Sequence, residues 1–74
     1  MNILVVDDEK NIRYTLTDIL TDEGYHVKSV DTGEKCIKIL KKQRFDMLIL
    51  DVRLPGMDGI QVYEKIIQSE IDID

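Results

Sequence analysis

A short apolar run that ends on an acid constrains the fold of this chain more than any other feature. The run from Met47 to Leu50 reads Met-Leu-Ile-Leu, and Asp51 follows it directly. Short apolar runs bounded by turn residues are typical of strands buried on both faces, as in parallel sheets. Pro55 and the glycines after it end the strand in a turn. Because ligands bind at the carboxyl ends of parallel strands, Asp51 is either a site residue or the cap of the next turn.

The N-terminus repeats this pattern of an apolar run followed by acids. Residues 2–6 contain the run Ile-Leu-Val-Val, and Asp7, Asp8 and Glu9 come next. We expect a strand there and then a helix over residues 9–22, with Asp8 or a neighbour as its cap. Gly24 stands where a C′ glycine ends a helix. The predicted apolar stripe of this helix comprises Ile12, Leu16, Ile19 and Leu20.

Two more strand–helix units follow. The pattern predicts an edge strand over residues 25–30, a helix from about 31 or 32 to 43, a strand over 45–50 and a helix from about 58 or 59. Residues 69–74 alternate Ile with Asp and are predicted to be a frayed tail. In the second helix the stripe includes Cys36, interpreted as a small buried hydrophobe. The inward residues predicted for the third helix are Ile60, Tyr63, Ile66 and Ile67.

The element order βαβαβα predicts an α/β fold with a parallel sheet. Right-handed crossovers from a central first strand give the strand order 2-1-3, with helices on both faces. A switch point between strands 1 and 3 then brings Asp7, Asp8 and Asp51 into one acidic cleft. Like charges about 4 Å apart repel by roughly 4 kcal/mol at an effective dielectric near 20. A divalent cation relieves this repulsion, and oxygen ligands without Cys or His favour Mg²⁺.

Composition limits the classes of function. A chain of 74 residues allows one small domain, here 1–74, and the net charge of −5 argues against direct contact with nucleic acid. A single cysteine excludes an internal disulfide. No apolar stretch is long enough to span a membrane and no signal pattern begins the chain, so we expect a cytoplasmic protein without membrane contact.

Two motifs together resemble a known family. Val-Val-Asp-Asp-Glu at 5–9 and Leu-Asp-Val-Arg-Leu-Pro-Gly-Met-Asp-Gly at 50–59 closely resemble the receiver domains of two-component response regulators, as does Thr-Gly-Glu at 32–34. The resemblance implies a flavodoxin-like fold in which Asp51 accepts a phosphoryl group from a sensor histidine kinase. It implies that Asp8 binds Mg²⁺ directly, that Asp7 binds it through water, and that the backbone carbonyl of Arg53 is a ligand. The family signals to an output domain, often a transcription regulator, and is not an enzyme class.

The chain also departs from the family. Receiver domains have five βα units and this sequence holds three, so the Thr or Ser after strand 4 and the Lys after strand 5 have no counterpart. An alternative is therefore a self-associating half-domain that is no longer phosphorylated. We expect a homo-oligomer, a dimer through the strand 3 edge and helix 3. An Mg²⁺-dependent phosphatase is disfavoured, because Val52 and Arg53 supply no general acid beside Asp51.

Overall fold

The computed structural model describes residues 1–69, and the predicted βαβαβα order is confirmed. Residues 70–74, where most of the predicted frayed tail falls, lie outside the described part. The second helix ends at Leu40, three residues before the predicted end, and a turn follows it. The elements are β1 Asn2–Val6, α1 Lys10–Asp22, β2 His26–Val30, α2 Gly33–Leu40, β3 Met47–Leu50 and α3 Gly59–Gln68.

The three strands form a parallel sheet in the predicted order β2-β1-β3. In the register of the sheet, Val6 lies opposite Val30 on one side and Leu50 on the other. The three strands therefore end level with one another. The residues that follow them share one edge of the sheet, which is the edge where a parallel α/β fold binds its ligands.

Helices cover both faces, as predicted. α1 packs on β1 and β2, whereas α2 and α3 pack against each other. Leu4 and Val6 belong to the core cluster beneath α2 and α3, and Ile3 and Val5, which alternate with them, lie outside that cluster but are fully buried. The core cluster comprises Leu4, Val6, Cys36, Leu40, Phe45, Leu54, Val62 and Ile66.

The start of α1 differs from the prediction. The N-cap residue is Glu9, and its side chain makes no capping hydrogen bond, so the expectation that Asp8 or a neighbour caps α1 is wrong. Asp8 lies one residue before the N-cap position, and the carboxylate of its neighbour Asp7 accepts the backbone N–H of Glu9 in the turn before the helix. At the other end, Gly24 has φ +93° and donates its N–H to the carbonyl of Thr21, which confirms the C′ glycine.

The inward face of α3 was predicted incorrectly. Only Ile66 of the four expected residues is buried, whereas Ile60, Tyr63 and Ile67 are each about 60% exposed. The helix instead buries the stripe Gly59, Val62 and Ile66. Val62 packs where α2 begins with a glycine: a Cβ on Gly33 would lie 2.5 Å from the Val62 Cγ2 atom. This close approach of the two helices rotates α3 away from the orientation that its isoleucines favoured.

Candidate functional site

Three carboxylates from two strand ends meet at the carboxyl edge of the sheet. Asp7 and Asp8 follow β1 and Asp51 follows β3, and one oxygen atom from each lies within 4.8 Å of the others. Asp7 is buried, Asp51 is half-buried and Asp8 is exposed. The cluster therefore has a buried inner side and an open outer side, and the convergence predicted from the strand order is present.

Asp51 is oriented by a turn that its own side chain closes. Its backbone N–H donates to the carbonyl of Val6 at 3.0 Å, which continues the β1–β3 ladder by one residue. Its Oδ1 atom accepts the backbone N–H of Arg53 at 2.9 Å, an Asx-turn that reverses the chain after β3. The Oδ2 atom receives no hydrogen bond from residues 1–69 and is available for chemistry.

Asp7 is held in a similar way at the end of β1. Its N–H donates to the carbonyl of Val30 at 3.2 Å, and its Oδ1 atom accepts the N–H of Glu9 at 2.9 Å. Its carbonyl oxygen accepts a 2.8 Å hydrogen bond from Nη1 of Arg13. The bond from Glu9 partly compensates for the burial of the Asp7 carboxylate, and the other two bonds satisfy its backbone N–H and carbonyl groups. Sequence reasoning missed Arg13; the only signal is a basic residue in the second turn of the helix after the acids.

The residues of the loop after Asp51, including the Pro-Gly-Met-Asp-Gly run, have identifiable structural roles. Leu54 is buried in the core cluster and fixes the middle of the loop to the fold. Gly56 adopts φ +69°, which favours glycine. Asp58 and Gln61 then form a reciprocal capping box, each side chain accepting the other residue's backbone N–H at 2.9 Å, and α3 starts there. The loop is thus held on both sides, and Asp51 sits at its rigid base.

A fourth acid at the same edge stays out of the cluster. Asp31 follows β2, and its Oδ1 atom lies 2.9 Å from the ammonium of Lys35, in the first turn of α2. The hydrogen bond and charge of Lys35 hold the pKa of Asp31 below its ordinary value of 3.8, with a smaller effect from the charge of Arg13. Asp31 is therefore a paired anion, whereas the three clustered carboxylates share no such partner within residues 1–69.

The donor set fits a hard divalent cation. All three candidate ligands are carboxylate oxygens, and no sulfur or imidazole belongs to the cluster. Cys36 lies in the core with a pKa raised by burial to about 11, so its thiol is no ligand. Mg²⁺ accepts one or two carboxylates and keeps several waters, which suits a site open on one side. A bound cation offsets the repulsion between the three carboxylates, which accounts for their close approach.

Comparison with known proteins places the chain in a family. Residues 3–74 match the family model of the response regulator receiver domain, and the chain belongs to this family. It is 37% identical over 73 residues to sporulation initiation phosphotransferase F of Bacillus subtilis, covering 96% of this chain and 59% of the relative. It is 38% identical over 69 residues to the transcriptional regulatory protein AfsQ1 of Streptomyces coelicolor, covering 93% of this chain and 31% of the relative.

Solved structures agree with this assignment. The response regulator TrrA of Thermotoga maritima, in complex with Mg²⁺ and BeF, superimposes with a TM-score of 0.91 at 38% identity, covering 99% of this chain and 64% of that one. TrrA in complex with the histidine kinase ThkA gives a TM-score of 0.87 at 38% identity, with coverage of 97% and 64%. The chain thus spans less than two thirds of these relatives and has the three-stranded part of the receiver fold.

The described part of the chain contains no helix with the length and apolar content needed to cross a membrane. α1, the longest helix of residues 1–69, has 13 residues and carries charged residues along its length.

Proposed function

We propose that this chain is a phosphoacceptor module of two-component signalling, in which Asp51 accepts a phosphoryl group from a sensor histidine kinase in an Mg²⁺-dependent reaction. One observation carries the proposal: oxygens of Asp7, Asp8 and Asp51 lie within 4.8 Å of one another at the ligand-binding edge of the sheet. Membership of the receiver family supports the same reaction.

Each site residue has a separate proposed role. Asp8, the exposed member, is a direct ligand of Mg²⁺, and buried Asp7 binds the hydrated ion through water. Asp51 contributes a carboxylate oxygen and Arg53 its backbone carbonyl. The bound ion supplies positive charge beside the phosphoryl oxygens and lowers the repulsion between an incoming phosphate and the acids.

The free oxygen of Asp51 is the proposed nucleophile. Oδ1 is occupied by the N–H of Arg53, so Oδ2 attacks phosphorus. The new O–P bond forms as the P–N bond of phosphohistidine breaks, and the electron pair and a proton remain with the histidine ring. The product is an aspartyl phosphate that stays on the chain. The module is thus a stoichiometric acceptor, without a substrate that it turns over.

The proposed partners follow from the relatives. The solved complex of TrrA with the histidine kinase ThkA supports a kinase as the phosphoryl donor of this chain. Regulators among the relatives, such as AfsQ1, support an output domain that controls transcription. With a net charge of −5, this segment makes no direct contact with nucleic acid in our proposal, and it acts in the cytoplasm without membrane contact.

Labelling with phosphoramidate or acetyl phosphate in the presence of Mg²⁺, followed by intact-mass measurement, tests the proposal. The parent chain is expected to gain the mass of one phosphoryl group, and the gain is expected to disappear with EDTA, in Asp51→Asn and in Asp8→Ala. An unmodified parent chain that is folded and binds Mg²⁺ would contradict the acceptor role. Steady hydrolysis of a phosphomonoester would instead support the phosphatase alternative.

Self-association is a second candidate function, favoured by an exposed apolar surface on α3. We call Ile60, Tyr63 and Ile67 the α3 stripe; these residues lie at helical spacing and are 60%, 60% and 58% exposed. Within residues 1–69, β3 pairs with β1 alone, and Met47–Leu50 carries no Lys or Pro to protect its other edge. A second copy of this chain supplies the same apolar stripe and the same edge, so the proposed assembly is a two-fold dimer that buries like surface against like.

Sedimentation over a concentration series tests this candidate with a matched pair of variants. Ile67→Glu removes apolar surface from the α3 stripe and adds a charge, whereas Gln68→Glu adds the same charge one position away, outside the stripe. A dimer in the parent and in Gln68→Glu, with a monomer in Ile67→Glu, is the expected result. A folded parent that stays monomeric at high micromolar concentration contradicts the dimer.

A further inference from the structure

Helix α1 starts without a capping side chain but with a bond that runs backwards from its second turn. The side chain of its N-cap residue, Glu9, makes no capping bond, and the first turn contains no acid. Arg13 lies four residues into the helix, and its Nη1 atom donates to the carbonyl oxygen of Asp7 at 2.8 Å. The guanidinium thus connects α1 directly to the residue that ends β1.

This bond is one of three hydrogen bonds that hold Asp7, a buried candidate ligand of the metal. Asp7 is only 8% exposed, and its N–H, carbonyl and Oδ1 atoms are bonded to Val30, Arg13 and Glu9 respectively. The three partners come from the end of β2, the second turn of α1 and the turn between β1 and α1. Oδ2 is the one polar atom of Asp7 that residues 1–69 leave unbonded.

The Arg13 bond is the one contact of the three that depends on a side chain outside the turn. β1 ends at Val6, whose carbonyl accepts the last hydrogen bond from the β3 side, the N–H of Asp51. The carbonyl of Asp7 comes one residue later and, within residues 1–69, has no partner in the sheet. A buried carbonyl needs a donor, and a charged donor gives a stronger bond than a neutral one. Without Arg13 the peptide between Asp7 and Asp8 loses its hydrogen bond to α1, and only the turn closed by the Asp7 Oδ1–Glu9 N–H bond still holds it.

We propose that Arg13 is a positioning residue of the Mg²⁺ site, which holds the β1–α1 turn so that the carboxylates of Asp7 and Asp8 face the same ion. The inference rests on the proposed metal site. Residues that orient metal ligands without touching the metal commonly affect affinity by a factor of roughly 10 to 100 when they are replaced. Arg13 acts here through the backbone of a ligand and not through contact with the ion.

The charge of Arg13 and its proposed positioning role predict opposite effects of Arg13→Met on Mg²⁺ affinity, which makes the proposal testable. Arg13 is a cation beside an acidic cluster, so its charge by itself weakens the binding of Mg²⁺. If Arg13 acted by charge alone, Arg13→Met would therefore bind Mg²⁺ more tightly. If Arg13 positions the turn, Arg13→Met binds Mg²⁺ more weakly in spite of the favourable change in charge.

The experiment is a titration of the chain with MgCl₂, monitored by the backbone amide shifts of Asp7, Asp8 and Asp51. The variants are Arg13→Met, Arg13→Lys and the control Lys10→Met, which removes a cation from the first turn of α1 where its ammonium lies over the ring of Tyr14. We expect Arg13→Met to weaken Mg²⁺ binding by about tenfold. Lys10→Met is expected to leave binding unchanged or slightly tighter, and Arg13→Lys, which retains a charged donor, to fall between the parent and Arg13→Met.

Asp8→Ala separates this proposal from the proposed function. Loss of Mg²⁺ binding in Asp8→Ala together with parent-like or tighter binding in Arg13→Met overturns the role of Arg13 and leaves the metal site intact. Retention of Mg²⁺ binding in Asp8→Ala overturns the site itself. A lower melting temperature of metal-free Arg13→Met, with an unchanged Mg²⁺ midpoint at a temperature where the chain is folded, assigns Arg13 a structural role only and overturns the proposal.

Discussion

The carbonyl oxygen of Asp51 lies so close to Gly59 that a Cβ atom at this glycine would be 2.5 Å from it. The same Cβ would also lie 2.5 Å from the Cα atom of Val52. The N–H of Gly59 donates to the carbonyl of Val52 at 3.1 Å, so the contact is between two backbones that hydrogen-bond to each other. The start of α3 is therefore pressed directly against the candidate acceptor residue.

Gly59→Ala is expected to lower both stability and Mg²⁺ affinity. Because the neighbours of the added methyl are backbone atoms, the loop must move, at a cost of about 1–3 kcal/mol typical of overpacked sites. The movement displaces Asp51 from Asp7 and Asp8. Urea unfolding and MgCl₂ titration measure the two effects, with Glu64→Ala on the exposed side of the same helix as the control. Parent-like stability of Gly59→Ala would contradict the close packing.

Asp51→Asn is expected to stabilise the metal-free chain by on the order of 1 kcal/mol, since it removes one of three like charges within a partly solvated cluster. Asp18→Asn makes the same change in net charge on an exposed position of α1 and is the control. Thermal melting at neutral pH with EDTA provides the comparison. A melting temperature of Asp51→Asn at or below that of Asp18→Asn counts against repulsion in the cluster.

The two sides of α3 are expected to respond differently to truncation. Val62 is fully buried beneath α2, so Val62→Ala leaves a cavity and costs about 2 kcal/mol. Ile67 is 58% exposed, so Ile67→Ala is expected to change the stability of the monomer by no more than about 0.5 kcal/mol. Unfolding by urea at low protein concentration measures both. Equal costs at the two positions would mean that α3 is rotated relative to the structure described here.

The reactivity of the buried Cys36 thiol reports how often the same core opens. Its thiol is buried and has a pKa raised from 9.0 to about 11, so the thiolate is scarce in the folded chain at pH 8 and more abundant once the chain unfolds. Iodoacetamide at pH 8 should therefore label Cys36 slowly in the native chain and rapidly in urea. Val62→Ala should accelerate native labelling by roughly thirtyfold if labelling requires unfolding and the cost is about 2 kcal/mol. Rapid labelling of the native parent would show that Cys36 is exposed.

Element order and strand order were predictable from the sequence because they depend on strong local signals and on a topological rule. Apolar runs with acids at their ends located β1 and β3, and right-handed crossovers placed β1 in the centre. The meeting of Asp7, Asp8 and Asp51 follows from that order alone. The turn glycine at Gly24 was predictable for the same reason, since its backbone conformation depends on few distant contacts.

The errors arose where tertiary packing decided the outcome. The isoleucines of α3 suggested one inward face, but the close contact of Val62 with Gly33 of α2 selected another. The cap predicted for α1 is absent because Asp8 lies one residue before the N-cap position and the side chain of Asp7 is used in its own turn. The bond from Arg13 to the Asp7 carbonyl joins a side chain to a backbone atom six residues earlier, and no periodicity in the sequence indicates it.

The most direct test of the account is to locate the phosphoryl group in the labelled chain. The chain is treated with phosphoramidate and MgCl₂ and then with borohydride, which reduces an aspartyl phosphate to homoserine, and its peptides are sequenced by mass spectrometry. We predict homoserine at position 51 alone, dependent on Mg²⁺ and absent in Asp8→Ala. Modification at Asp7 or Asp8, or labelling at Asp51 that persists in EDTA, would contradict an Mg²⁺-dependent phosphoacceptor at Asp51.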